Sequence, residues 1–188
     1  YAELDRHVDA LAALLRERGI GVGDAVGIFL PMLVETVVAA LAVAKLGAMF
    51  LPVFSGYGAE AIAVRLEDAG AKALLCADGF YRRGKPVPML ATAREAIAHV
   101  DTVDTLVVVP RVGPVEASVD GRVTTLSWPG PTDVVVPTVA VDSEHPLLIA
   151  YTSGTTGKPK GSVHVHGGFT VKIAEEVAFQ FDCRPGDR

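Results

Sequence analysis

The sequence predicts an α/β protein built on a mainly parallel sheet with crossover helices. Three observations carry that reading. Short apolar runs such as "AKALLCA" and "DTLVVVP" have strand length and lack the alternation of a sheet wetted on one face. Between them lie segments whose apolar residues recur at helical spacing. Glycines and prolines punctuate the joints, and the order strand–helix–strand repeats along the chain.

The opening "YAELDRHVDALAALLRERG" places Leu4, Val8, Leu11 and Leu15 on one helical stripe, with Gly19 as its C-terminal cap. "DAVGIFL" comes next as a buried strand. Pro31 is expected to open the next helix, "PMLVETVVAALAVAKLG", where its missing N–H costs nothing. That helix is apolar nearly all round and is expected to be covered on most sides. "AMFLPVF" reads as a strand, and "GAEAIAVRLEDAG" as a helix with Ile62, Leu66 and Ala69 inward. Strand "AKALLCA", helix "PMLATAREAIAHV" and strand "DTLVVVP" complete a first αβ subdomain over residues 1–109. Residues 110–144 are rich in Pro, Gly, Asp, Ser and Thr. They read as a long connection holding a short hairpin, with Trp128 pinned to the body. Periodic structure resumes over 145–188 with strands "PLLIAYTS" and "SVHVH" and the helix "GGFTVKIAEEVAFQF", the expected start of a second αβ subdomain.

Composition narrows the function. The 188 residues are 50% hydrophobic and 21% charged, which is globular composition. With 17 Lys and Arg against 22 Asp and Glu the net charge is −5, which disfavours a nucleic-acid binder. Two distant cysteines, Cys76 and Cys183, make no disulfide framework or zinc site and fit reduced thiols in a cytoplasmic protein. The apolar stretch from Val26 to Phe54 carries only Glu35 and Lys45 as charges. Pro31, Gly47 and Pro52 interrupt it, so it is expected to be strand, helix and strand with no membrane span. The chain opens on Tyr1, with no Met and no signal peptide, and ends on "CRPGDR", a loop cut partway; it is expected to be a piece of a longer protein.

The chemistry concentrates in "YTSGTTGKPKG", Tyr151 to Gly161, with three glycines, three threonines, one serine and two lysines. Glycines let backbone N–H groups approach phosphate oxygens closely, and hydroxyls add donors. Lys158 and Lys160 supply charge-assisted bonds. The stretch is not a Walker A loop. Gly154 and Gly157 stand too close together, and Lys158 is followed by Pro159, which keeps the chain extended toward a strand.

This stretch resembles the signature phosphate loop of the AMP-forming acyl-CoA synthetase family, part of the adenylate-forming superfamily that also holds adenylation domains and luciferases. The resemblance runs along most of the chain. Residues 1–54 are similar to the start of that family's large N-terminal domain. "HVHGGF" and "FDCRPGD" are similar to the family's sequence just past the loop, with most similarity to acetyl- and short-chain acyl-CoA synthetases. The resemblance implies activation of a carboxylic acid by ATP to an acyl-adenylate with release of pyrophosphate, then thioester formation with coenzyme A. It assigns Thr152, Ser153, Gly154, Thr155, Thr156, Gly157, Lys158 and Lys160 to the ATP phosphates, with Mg²⁺ as charge partner and no ligand for it named.

The same resemblance makes Arg82 and Lys85, in "FYRRGKPVP", candidates for the phosphates of coenzyme A; a solvated basic loop is the alternative. His164 and His166 alternate on one strand face, and without a third ligand they make no metal site. His7 and His99 read as surface residues. Ser162 stands where the family prefers an apolar residue, and "SEHP" where an acidic residue before the proline is usual. No catalytic residue is expected within the segment, and the stretch alone is expected to be inactive. The alternatives are an adenylation domain loading a carrier protein, an aryl-CoA ligase, or a nucleotide-binding module without turnover.

Overall fold

The structure is a computed structural model that describes residues 1–152, 159–184, 186 and 187. Helix α1 (Ala2–Glu17) leads into strand β1 (Ala25–Phe29), then α2 (Val34–Lys45) and β2 (Met49–Pro52). Helix α3 (Ala59–Asp68) precedes β3 (Ala71–Ala77), and a hairpin of β4 (Gly79–Arg82) and β5 (Lys85–Pro88) precedes α4 (Leu90–Ile97) and β6 (Thr105–Val109). A second hairpin, β7 (Ser118–Asp120) and β8 (Val123–Ser127), lies in the connection. The chain then forms β9 (Pro146–Thr152), β10 (Lys160–Val165) and α5 (His166–Phe179).

Among the described residues the strands form an eight-stranded sheet in the order β10-β9-β2-β1-β3-β6-β8-β7. The six inner strands are parallel, and β10 and β7 close the two edges by antiparallel pairing. The α/β, mainly parallel expectation therefore holds. From β1 the chain moves one way along the sheet to β2, then back across to β3 and on to β6. Right-handed crossovers in opposite directions place their helices on opposite faces. Accordingly α1 packs against α2, and α3 against α4. Leu11, Leu15, Val26, Phe29, Leu51, Ile62, Leu66, Leu74 and Leu106 are almost wholly removed from water between the layers.

The helix ends are set by local chemistry. Past α1, the Gly19 N–H donates to the Arg16 carbonyl and the Ile20 N–H to the Leu15 carbonyl. Past α2, the Gly47 N–H donates to Ala44 and the Ala48 N–H to Val43. Both are Schellman closures, with Gly19 at φ 78° and Gly47 at φ 69°, left-handed conformations that glycine adopts without strain.

Several sequence expectations change. Helix α2 begins at Val34 and not at Pro31, because residues 31–33 form a bend closed by Thr36, whose hydroxyl donates to the Pro31 carbonyl at 2.7 Å. It buries Val38, Ala39, Ala42 and Val43, while Val34, Val37 and Leu41 stay exposed, so one flank of this apolar helix is uncovered by the described residues. The hairpin expected in the connection does form, and it extends the main sheet: β8 runs parallel to β6. Trp128 packs against the core and donates its backbone N–H to Val108. Residues from the 145–188 segment add β9 and β10 to this same sheet, β9 lying parallel to β2 with Leu148 opposite Phe50.

Candidate active site

Parallel strands deliver their C-terminal ends to one edge of a sheet, and there a doubly wound fold binds ligands. Strand β9 ends at that edge with Tyr151 and Thr152, and β10 returns from it with Lys160. The two are antiparallel neighbours in register, Thr152 opposite Lys160 and Tyr151 opposite Gly161. Thr152 and Lys160, two of the predicted phosphate contacts, are thus brought together at the roots of the loop, both exposed. The other six, Ser153, Gly154, Thr155, Thr156, Gly157 and Lys158, lie outside the described residues.

The ring of Tyr151 explains a small residue that phosphate chemistry does not. A Cβ on Gly161 would meet Tyr151 Cζ at 3.1 Å, Cε1 at 3.3 Å and Ile149 Cγ2 at 3.0 Å. The tyrosine therefore lies across the partner strand in space that only glycine leaves. Its hydroxyl donates to the Asp68 carboxylate on α3. Burial, then the hydrogen bond and charge of Asp68, push the Tyr151 phenol up, so it stays protonated and remains a donor.

Beside it lies Arg65, only 7% exposed, although arginine is rarely so buried without a carboxylate partner. Its guanidinium stands 4.4 Å from the ring centroid of Tyr57 and 5.8 Å from that of Tyr151. Nη1 donates to the Ala61 carbonyl at 2.6 Å. Nε is buried without a hydrogen-bond partner among the described residues. Arg65, Tyr57 and Tyr151 line a cleft of about 460 Å³ whose other walls are mostly apolar, Leu30, Met32, Phe50 and Phe54 among them. This group went unread in the sequence, where Arg65 and Asp68 pass for the polar positions of an amphipathic helix.

Arg82 and Lys85 lie elsewhere in the fold, on the β4–β5 hairpin, which makes no ladder with the main sheet. They are cross-strand partners flanking a two-residue turn of Arg83 (φ 52°) and Gly84 (φ 74°), a type I′ hairpin. The turn holds both cations, with Arg83 between them, exposed at one tip. Its base is fixed by Asp78, whose carboxylate accepts the N–H groups of Arg111, Val112 and Gly113 at 2.7 to 3.1 Å.

The two histidines do not share a strand face. The β9–β10 register shifts between His164 and Val165, and His166 already begins α5. His164 packs edge-on to Phe169, whereas His166 faces His145 at 6.0 Å between centroids. Burial, with His145 adding to it, lowers the pKa of His166. His99 is exposed as expected, and His7 is half-buried. Among the described residues no group of three or more His, Cys, Asp or Glu side chains could hold a metal ion.

Thr152 and Lys160, the two ends of the Gly-, hydroxyl- and lysine-rich segment, thus meet at the C-terminal edge of a mainly parallel sheet, where doubly wound α/β proteins bind ligands. The family model described as "AMP-binding enzyme" matches residues 1–188, and the chain belongs to that family. It is 43% identical over 188 residues to the acetyl-coenzyme A synthetase of Streptomyces avermitilis, an alignment covering 98% of this chain and 28% of that protein. To the acetyl-coenzyme A synthetase of Methylobacterium radiotolerans it is 42% identical over 192 residues, covering 100% of this chain and 29% of the relative. The solved acetoacetyl-CoA synthetase from Streptomyces lividans matches the fold with a TM-score of 0.88 at 34% identity, over 100% of this chain and 28% of that one. The chain thus spans under a third of the length of the relatives it matches, and its fold is that of the corresponding part of an adenylate-forming enzyme.

Proposed function

We propose that this chain is part of an acid–thiol ligase that activates a carboxylic acid with ATP, releases pyrophosphate, and passes the acyl group from the adenylate to coenzyme A. The observation that carries the reading is the β9–β10 ladder, which sets Thr152 beside Lys160 at the C-terminal edge of the sheet in a chain of the AMP-binding family. The names of the relatives support short-chain acids, acetate or acetoacetate, as substrates.

The carboxylate oxygen attacks the α-phosphorus of ATP, and the bond to the bridging oxygen of pyrophosphate breaks. Negative charge grows on the leaving pyrophosphate, so cationic and N–H donors placed there stabilise the transition state more than the ground state. In this reading Thr152 and Lys160, with the Ser153–Lys158 loop between them, make those contacts. Thr152 and Lys160 would meet the phosphates of an ATP carrying Mg²⁺, which would supply further charge neutralisation. Arg82 and Lys85 hold phosphates of coenzyme A; the support is the exposed pair of like charges on a pinned hairpin, which repel one another until an anion bridges them. No described helix is long and apolar enough to cross a membrane, and with free Cys76 and Cys183 this favours a cytoplasmic enzyme. The 145–188 segment is proposed to begin a second subdomain, carried on β9 and β10.

The test uses the full-length protein with ATP, Mg²⁺ and acetate or acetoacetate, with and without coenzyme A, monitoring pyrophosphate, AMP and thioester. A ligase makes AMP and thioester in step with added coenzyme A. A carrier-loading domain needs a carrier thiol instead, and a binding module releases no pyrophosphate; either result overturns the proposal.

A further inference from the structure

Four residues from three separate stretches of chain converge on the root of the proposed phosphate loop through contacts with one another. Tyr151 turns its hydroxyl to Asp68, its ring lies against Gly161, and Arg65 stands beside the rings of Tyr151 and Tyr57. We propose that Tyr151 is a positioning residue for adenylation: with its ring over Gly161, its hydroxyl on Asp68 and its face beside Arg65, it fixes the pairing that holds Thr152 opposite Lys160. The proposal rests on the ligase function proposed for the chain, and it adds residues that function does not otherwise use.

Strand β10 is an edge strand, paired only with β9 among the described residues, and an edge ladder slips or frays unless something pins its register. Side chains directly opposite across antiparallel strands share a face, so Tyr151 covers Gly161 while Thr152 and Lys160 share the other face. A one-residue slip would bring a residue with a Cβ under the tyrosine ring, where a Cβ at Gly161 would force the ring or Ile149 to give way.

Strand β9 is paired with β2 at Leu148, short of Tyr151, so its loop end could still move against the sheet. The Tyr151 hydroxyl bond to Asp68 prevents this by crossing to α3, the helix that also carries Arg65. A hydrogen bond to a carboxylate is about twice as strong as a neutral one. Arg65 adds a second tie. Its guanidinium joins the ring of Tyr57, in the β2–α3 connection, to the ring of Tyr151 at the end of β9. Its Nη1 donates to the Ala61 carbonyl one turn back on α3, which ties the guanidinium to that helix. The cation thus links two C-terminal strand ends and leaves its charge on aromatic faces.

The experiment uses the full-length protein and the variants Tyr151→Phe, Asp68→Ala and Asp68→Asn. Two readouts are taken: pyrophosphate release with acetate and Mg²⁺-ATP, and hydrogen exchange at the amides of Thr152 and Gly161. Tyr151→Phe keeps the ring and removes one oxygen, so folding is retained. It is expected to lower kcat about tenfold with the ATP KM within about twofold, because misplacement acts on the transition state and not on ground-state binding. Thr152 and Gly161 should exchange about tenfold faster. Asp68→Ala should match it, and Asp68→Asn, which keeps an oxygen acceptor for the phenol, should recover both readouts. Wild-type kcat and exchange in Tyr151→Phe, or an Asp68→Asn as impaired as Asp68→Ala, would overturn the proposal. If the wild-type protein releases no pyrophosphate with acetate or acetoacetate, the ligase reading fails, and the exchange comparison alone decides the role of Tyr151.

Discussion

Replacing Asp9 by Ala removes the centre of a buried ionic contact that ties three parts of the chain together. Asp9 on α1 accepts from Lys45 Nζ of α2 at 2.7 Å and from the Val136 N–H of the connection at 3.1 Å. The two charged side chains are 5% and 13% exposed, and the Val139 N–H in turn donates to the Lys45 carbonyl. Truncating one partner of a buried pair costs about 3–5 kcal/mol, because the other charge is left without compensation. Asp5, whose carboxylate lies 3.6 Å from the same Nζ and is largely exposed, offsets part of that, so about 3 kcal/mol is expected. Hydrogen exchange across residues 133–140 of the intact protein should then accelerate about a hundredfold. The double variant Asp9→Leu with Lys45→Met should return to within about 1 kcal/mol of the wild type, since well-packed apolar replacements of buried pairs are often neutral. A loss below about 1 kcal/mol in Asp9→Ala would refute the reasoning, for it would mean that Lys45 escapes to water.

Other tests use the same physics. Burial alone would raise the Asp9 carboxyl, but the Lys45 hydrogen bond, the Val136 N–H and the Lys45 charge together hold it below the usual range; the backbone donors on Asp78 do the same against its burial. Both folded-state values lie below the unfolded one, so their stabilisation is complete above about pH 4 and is lost as pH falls further, which acid titration of the unfolding midpoint would show as a steep decline that Asp9→Ala flattens. Gly47→Ala should destabilise by about 1–2 kcal/mol in urea melts, from the left-handed strain at φ 69° and a Cβ pressed within 3.2 Å of Val22 and Val141. In the complete enzyme Lys160→Ala should slow single-turnover adenylation at saturating ATP more than it raises the ATP KM; an unchanged rate would show equal binding of ground and transition states. Arg82→Ala with Lys85→Ala should raise the coenzyme A KM and spare pyrophosphate release, an effect that salt weakens; unchanged affinity by titration calorimetry would move the coenzyme A site elsewhere.

The sheet and its crossover helices were legible because β1, β2, β3, β6 and β9 are short apolar runs and α1, α2 and α3 stop at Gly19, Gly47 and Gly70. The density of glycines, hydroxyls and lysines drew attention to the segment whose two ends, Thr152 and Lys160, meet at the strand ends. The β4–β5 hairpin was not legible, for two local reasons. "KPVP" carries two prolines, which argue against a strand, and the first turn position holds Arg83, where a type I′ turn favours Asn, Asp or Gly. Strand β7, "SVD", is exposed throughout and shows no alternation to read. The break of β10 into α5 at His166 hides behind an alternating "HVH" that looks like continued strand. Least legible was the meeting of Asp68 with Tyr151, 83 residues apart, because nothing in either stretch names the other. Motif reading finds groups that meet a ligand. It passes over groups that meet only one another.

The parallel pairing of β2 with β9 carries a consequence for the order of events in folding. Strands β1, β2, β3 and β6 are joined by single helices or a hairpin and a helix, so each pairing closes a modest loop. Strand β9 reaches β2 only after β3, β6 and the whole connection have been laid down, with Leu148 meeting Phe50 across about half of the chain. Closing so distant a contact is entropically the most expensive step, and such contacts form late. The hypothesis is that the nucleotide edge matures on a scaffold already in place, whether in a test tube or at the ribosome. Pulse-labelled exchange during refolding of the complete protein would show amides of β1, β3 and β6 protected first and those of β9 and β10 last. Simultaneous protection would argue for one concerted step. If the β9–β10 edge holds the ATP phosphates as proposed, a nascent chain gains its nucleotide site only after its framework has folded.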